Sequence, residues 1–224
     1  MENELENSVE LIRYKIEHYL KDGKKLFATS SFQTHSLPML HILSRITKSI
    51  PVYFINTGFH FPETVSFRDT ISQKFGLSFV DLHSVVPKNQ QRDKWGNLYF
   101  TSDPDYCCHL NKVQPLDPIL SRFDVWINGI RADQNENRRN MQIEQKTPQG
   151  ALRYHPMLYW TNKMIFEYIS KNNLPKHPLE ARGYLSIGCE PCTKKFDLEN
   201  SRDGRWFGLK KNECGLHTEL VEKN

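Results

Sequence analysis

The sequence predicts an α/β fold, a parallel sheet with helices on both faces. Three observations carry this. Short apolar runs recur at residues 26–30, 51–56, 77–83 and 124–130, as expected of strands buried between two helical layers. Segments of helical period separate them. Gly and Pro punctuate the joints. Such alternation is the pattern of parallel strands joined by helical crossovers.

Each element can be justified in order. Leu5, Val9, Ile12, Ile16 and Tyr19 recur at helical spacing, and Asp22-Gly23 ends that amphipathic helix. Residues 26–30 read as the first buried strand. Residues 31–36 are a polar turn, and 37–46 are helical, with Pro38 tolerated in the first turn. Residues 51–56 form the second strand, broken by Thr57-Gly58. Residues 62–75 read as a helix and 77–83 as the third strand. A helix carries Cys107 and Cys108, residues 124–130 form the fourth strand, and 161–172 a further helix. From about Pro175 the chain is rich in Gly, Pro and charge, a loop followed by a mobile C-terminal tail. We expect a nucleotide-binding body over residues 1–200 and a tail over 201–224.

In a parallel sheet ligands bind at the carboxyl ends of the strands. Four segments fall there: residues 30–36, 56–61, the stretch after His83, and 131–139.

Composition narrows the class. The 224 residues are 38% hydrophobic and 25% charged, a globular balance. A net charge of +4 is too mild to argue for nucleic acid and suits a cleft for a small anion. The acidic start, MENELENSVE, lacks the pattern of a signal peptide, and no apolar run could span a bilayer. A cytoplasmic protein without membrane or nucleic-acid partners is expected; self-association is left open.

In a reducing compartment cysteines bind metals or react more often than they cross-link. There are 5: Cys107, Cys108, Cys189, Cys192 and Cys214. Cys107-Cys108 and Cys189-x-x-Cys192 are two pairs far apart, and four thiolates suit a soft metal site. Zinc normally takes two spaced pairs, whereas an iron–sulfur cubane offers each thiolate its own iron and tolerates vicinal cysteines. Spacing alone leaves the cluster, zinc, a redox pair and ordinary buried thiols all open. Cys214 lies in Lys210-Lys211-Asn212-Glu213-Cys214-Gly215-Leu216-His217. Flanking cations favour a thiolate. A tail cysteine without a role would look the same.

The order of motifs is more telling. Glu213-Cys214-Gly215-Leu216-His217, Arg202-Asp203-Gly204-Arg205-Trp206 and the paired cysteines occur together. So do Ser30-Ser31-Phe32-Gln33-Thr34-His35-Ser36, Thr57-Gly58 and Gly129-Ile130-Arg131. With these the chain, from about Lys25 to His217, resembles the adenylyl-sulfate and phosphoadenylyl-sulfate reductases of sulfate assimilation. The resemblance implies a fold related to the ATP pyrophosphatases, the adenine nucleotide alpha-hydrolase type. It implies that Cys214 attacks the sulfur of the phosphosulfate anhydride, that AMP or its 3′-phosphate leaves, and that a thioredoxin or glutaredoxin releases sulfite from the S-sulfonate.

It also implies a [4Fe-4S] cluster on Cys107, Cys108, Cys189 and Cys192, which favours adenylyl sulfate over the 3′-phosphorylated form. Substrate contacts are expected from Ser30, Ser31, Phe32, Ser36, Thr57, Gly58, Lys112, Arg131, Arg202 and Arg205. His217 is expected to assist thiolate formation or to bind substrate. Asn56 stands where many relatives carry aspartate, and the segment after Arg131 follows the family pattern only loosely. Two other classes remain in view: an ATP-using adenylating or thiolating enzyme of the same fold, and a zinc or redox-sensing module. The turn at residues 30–36 lacks the lysine the first would use.

Overall fold

The computed structural model describes residues 2–195, 205–206, 211 and 213–220. A six-stranded sheet has the order β3-β2-β1-β4-β6-β5. Its strands are β1 (Leu26–Thr29), β2 (Val52–Ile55), β3 (Phe79–Leu82), β4 (Val125–Asn128), β5 (Glu144–Lys146) and β6 (Leu152–Tyr154). All neighbours are parallel except β5 on β6. The helices are α1 (Glu2–Lys21), α2 (Leu37–Ile46), α3 (Pro62–Phe75), α4 (Tyr99–Ser102), α5 (Pro104–Cys108), α6 (Gln114–Leu120), α7 (Glu136–Arg139) and α8 (Asn162–Lys171).

The first four strands and the long helices lie where the sequence pattern puts them. The β5–β6 hairpin does not show in that pattern. β5 reads Glu-Gln-Lys, an antiparallel edge strand with no apolar alternation, and β6 carries a fully buried arginine, Arg153. Both features hide a strand from a hydrophobicity reading.

Two cores sandwich the sheet. On one face Ala28, Val52, Phe54, Val125 and Ile127 pack against α1, α2, α3 and α8. The periodic residues of α1 supply Leu5, Ile12, Ile16 and Tyr19, all buried. On the other face Phe27 and Trp126 meet Val113, Leu116, Ile119 and Leu120. Leu220 completes this second core, so the described end of the tail packs on the body.

The strand order reverses between β1, followed outward by β2 and β3, and β4 on its other side. That is a topological switch point, where the loops leaving two neighbouring strands diverge and open a crevice. Thr29 and Asn128 are register partners at this point.

Candidate active site

A cleft of about 1230 Å³, its open mouth included, lies at this switch point. The loop after β1 forms one wall. Phe32 there has φ 56°, a left-handed conformation rare for a bulky residue. Its ring is fully buried, against Phe54 and Phe79, and that burial holds the strained turn. The anchor leaves Ser30, Ser31, Gln33 and Ser36 facing the cleft. Ser31 and Ser36 hydroxyls are 2.9 Å apart, and Gln33 Oε1 accepts from Ile187 N at 2.9 Å. This polar turn opens α2, whose first N–H groups favour anions. Phe32 is thus an anchor; its side chain is absent from the cleft lining.

The loop after β4 forms the facing wall. Arg131 is buried. Its Nε donates to Asp133 at 3.0 Å, its Nη2 to Asn162 at 2.6 Å, and its Nη1 has no partner. Asn128 lines the cleft with both side-chain polar atoms unpartnered. The sequence reading did not single it out.

The thiols meet where three chain segments converge. Asp103 caps α5 by accepting from Tyr106 N, with Pro104 at its first turn, so Cys107 and Cys108 follow on one short helix. A π-helical turn, His109–Val113, then carries Lys112; such turns recur at functional sites. Cys189 pairs with His60 in an antiparallel bridge, and a 3₁₀ turn, Glu190–Cys192, brings Cys192 round. All four cysteines line a second, smaller cavity together with Thr57 and Asn111. Thr57 Oγ1 is 3.3 Å from Cys189 Sγ, and Asn111 Nδ2 is 3.6 Å from Cys107 Sγ. Burial, then the Cys189 and Cys192 sulfurs, push the Cys107 thiol up to about 11. Among the described residues no three His, Cys, Asp or Glu side chains are gathered as a set for one metal ion. The thiols surround a cavity.

Thr57 therefore lies with the cysteines and is absent from the cleft lining. Gly58 adopts a positive φ of 71° beside Lys88, which donates to its carbonyl, and is likewise outside the cleft lining. Lys112 joins the two cavities, lining both. Burial disfavours its charge, but the Cys108, Cys214 and Cys189 sulfurs outweigh that and hold it protonated. Arg205 lines the cleft and stacks over Trp206; its Nη1 donates to Ile187 O and its Nε has no partner. Gly188 lets the guanidinium lie close against the backbone, and a Cβ there would displace it. Arg202 lies outside the described residues.

Cys214 enters from the tail. Glu213 is buried and paired with buried Arg138, through Nε at 2.5 Å and Nη2 at 3.0 Å. Glu213 Oε1 also accepts from Cys214 N at 2.8 Å. Arg138 is therefore an interior anchor. Arg153 donates to the Leu216 and Leu220 carbonyls and, from Nη2, to His217 Nδ1 at 2.9 Å. A guanidinium only donates, so His217 Nδ1 accepts and the proton sits on Nε2. Burial, followed by Arg138, holds His217 well below the usual histidine range. It is a neutral N–H donor on the cleft lining.

The Cys214 sulfur has Cys108 as its hydrogen-bond neighbour. That bond, then burial, raises the Cys214 thiol, against the attraction of Lys112. The flanking cations were expected to lower it. Lys211 instead pairs with Asp105, and His217 is neutral. Lys112, far from Cys214 in sequence, supplies the facing charge.

Comparison with known proteins now decides the family. The phosphoadenosine phosphosulfate reductase domain matches residues 25–195. The chain belongs to that family. An adenosine 5′-phosphosulfate reductase of Lysinibacillus sphaericus is 33% identical over 213 residues, covering 94% of this chain and 90% of that protein. One from Chelativorans is 39% identical over 206 residues, covering 90% and 82%. Among solved structures, phosphoadenylyl-sulfate reductase from Candida auris superposes with a TM-score of 0.65 at 22% identity, covering 80% of this chain and 88% of that one. Candida glabrata FMN adenylyltransferase superposes at 0.63 with 15% identity, covering 99% and 75%. These two likenesses establish the fold alone, the expected α/β type. Among the described residues no helix is long and apolar enough to cross a membrane.

Proposed function

We propose that the protein is an oxidoreductase of sulfate assimilation that reduces adenylyl sulfate to sulfite and AMP. The observation that carries this is the meeting of Cys214, Lys112 and Arg205 on one cleft with the Ser30–Ser36 turn. The names and near-full coverage of the relatives support it.

In the first step Cys214 gives up its thiol proton to solvent, the resulting thiolate being faced by the Lys112 ammonium, and attacks the sulfur of the sulfate group. A new S–S bond forms, the S–O bond to phosphate breaks, and AMP leaves with that electron pair. Lys112 and Arg205 face the oxygens on which charge collects, and such preorganised cations stabilise the transition state. Arg131 Nη1 and the turn hydroxyls of Ser30, Ser31 and Ser36 hold the nucleotide's anionic oxygens. His217 Nε2–H, fixed by Arg153, offers a neutral donor to the leaving oxygen. It is no base for Cys214. In the second step a dithiol of the thioredoxin or glutaredoxin class attacks Cys214 Sγ. Sulfite leaves with the S–S electron pair, and the dithiol ends as a disulfide with Cys214 restored. The tail over residues 201–224 would act as a separate unit that presents Cys214 to both reactants.

The four paired cysteines fit a [4Fe-4S] cluster. They line one cavity together, and the adjacent Cys107 and Cys108 suit separate irons better than a single tetrahedral zinc. Cys107, Cys108, Cys189 and Cys192 would hold it, with Thr57 and Asn111 beside the sulfurs. Bound there, it would supply a fixed field around Lys112 and no electrons to substrate, because the dithiol already supplies both.

The test is sulfite release from adenylyl sulfate and from phosphoadenylyl sulfate, with a thioredoxin system and anaerobic protein. Faster release from adenylyl sulfate is expected. Preference for the 3′-phosphorylated form would overturn the substrate, and sulfite from neither would overturn the activity.

A further inference from the structure

Asn128 ends β4 at the switch point and is 3% exposed. Neither its Nδ2 nor its Oδ1 has a partner. Burying a carboxamide with both functions unmet costs free energy, so a native site that does so holds the place for a ligand. The residue lines the cleft, so the ligand is the one that fills it.

The chemistry of the carboxamide limits what that ligand part can be. It offers one acceptor and two donors. An anhydride or phosphate oxygen only accepts and would leave Oδ1 unmet. The anionic oxygens already have Lys112, Arg131 and Arg205 on the same cleft. A hydroxyl both donates and accepts, and so meets both atoms. Adenine's amino and ring-nitrogen edge could also do so.

Position separates these two. Asn128 and Trp126 alternate with Ile127, so they share one sheet face. Arg153 stacks on Trp126 at 4.7 Å and holds His217 and the Leu216 carbonyl. Asn128 thus lies on the tail's side of the sheet, toward the reacting sulfur. Adenine is the part of the nucleotide farthest from that sulfur, and the ribose lies between. The apolar lining from Met39, Ile130 and Leu185 suits a base better than a diol.

The geometry points to Asn128 as a specificity-determining residue that binds the ribose hydroxyls of the nucleotide. This deepens the proposed function and rests on it. Oδ1 accepts from one hydroxyl while Nδ2 donates to the diol. A 3′-phosphate removes a donor and sets its oxygens against Oδ1, so the same residue favours adenylyl sulfate over its 3′-phosphorylated form.

The test is calorimetric binding of AMP, 2′-deoxy-AMP, 3′-deoxy-AMP and inosine monophosphate to the whole protein and to Asn128→Ala and Asn128→Ser. Thermal unfolding checks that each variant folds. The natural protein should bind AMP about tenfold tighter than at least one deoxy analogue, the scale of a buried hydrogen bond. Asn128→Ala should lose that discrimination, Asn128→Ser should keep part of it, and both should still prefer AMP to inosine monophosphate. Turnover should move with it, Asn128→Ala narrowing the preference for adenylyl sulfate over phosphoadenylyl sulfate. Unchanged discrimination between AMP and the deoxy analogues would overturn the proposal. So would a variant that loses only the preference over inosine monophosphate, which assigns Asn128 to the base. If the natural protein releases sulfite from adenylyl sulfate and these arms fail, only the role of Asn128 falls. If it releases none, the functional reading falls first.

Discussion

At the sheet end of the cleft, Ser30, Asn128 and Arg131 owe their positions to strand register, with Thr29 opposite Asn128. At the tail, Cys214 and His217 owe theirs to Arg138 and Arg153, two buried arginines that bind Glu213, the Leu216 and Leu220 carbonyls and the His217 ring. One half is fixed by backbone ladders and apolar burial, the other chiefly by buried polar contacts, with Leu220 packed into the core beyond them. A nucleotide needs a preformed cradle. A nucleophile that must meet first a nucleotide and then a dithiol needs a docking contact that can be released.

The difference can be broken most completely at Cys214. Cys214→Ser should lower sulfite release at least about a thousandfold while leaving AMP affinity unchanged, because the cradle does not depend on the sulfur. Lys112→Ala comes next. Loss of one preorganised charge should cost roughly a hundredfold in kcat. The absorption spectrum of the proposed iron–sulfur cluster should be unchanged, since Lys112 is not among its proposed ligands. Unchanged turnover would contradict its role.

Arg138→Ala sharpens the comparison further. Removing one partner of a buried ion pair costs about 3–5 kcal/mol, here against tail docking. The expected outcome is kcat lowered more than tenfold, KM near that of the natural protein, and faster hydrogen exchange over residues 213–220. Its counterpart at the sheet end, Ser36→Ala, should raise KM about tenfold and leave kcat in place, as loss of one hydrogen bond to a charged oxygen implies.

The smallest effect concerns acid. Burial, then Arg153, lowers His155 to about 3, with its Nδ1–H donated to the Gln142 carbonyl. The unfolded chain takes up this proton near the ordinary value of about 6.5. The stability that neutral His155 contributes is therefore complete above that pH and declines as pH falls toward about 3. Unfolding free energies from urea titrations at pH 7.5 and 5 should differ by about 1–2 kcal/mol more in the natural protein than in His155→Gln. Equal differences would contradict the assignment.

Much of this was legible in the sequence. Apolar runs marked β1, β2 and β4, which lie inside the sheet, and also β3, a partly exposed edge strand whose ends are still apolar, and the joint order of motifs gave the family. Cys214, Lys112, Arg131 and Arg205, each picked out in the sequence, line one cleft. What escaped was what depends on three dimensions. Phe32 sits in a binding motif, yet its ring is a core anchor. Thr57 faces the cysteines because the loop after β2 bridges to Cys189. Arg138 and Arg153 look like surface charges until the tail folds onto them. Asn128 closes an apolar strand, where a polar residue reads as punctuation; only its two unpartnered atoms mark it.

The most direct test is to trap the intermediate. The anaerobic protein would be mixed with adenylyl sulfate without any dithiol, then digested and weighed by mass spectrometry. The account predicts one added sulfonate on the peptide bearing Cys214, absent in Cys214→Ser and lost as sulfite when reduced thioredoxin is added. Sulfite or AMP released with no adduct, or an adduct on another cysteine, would contradict it.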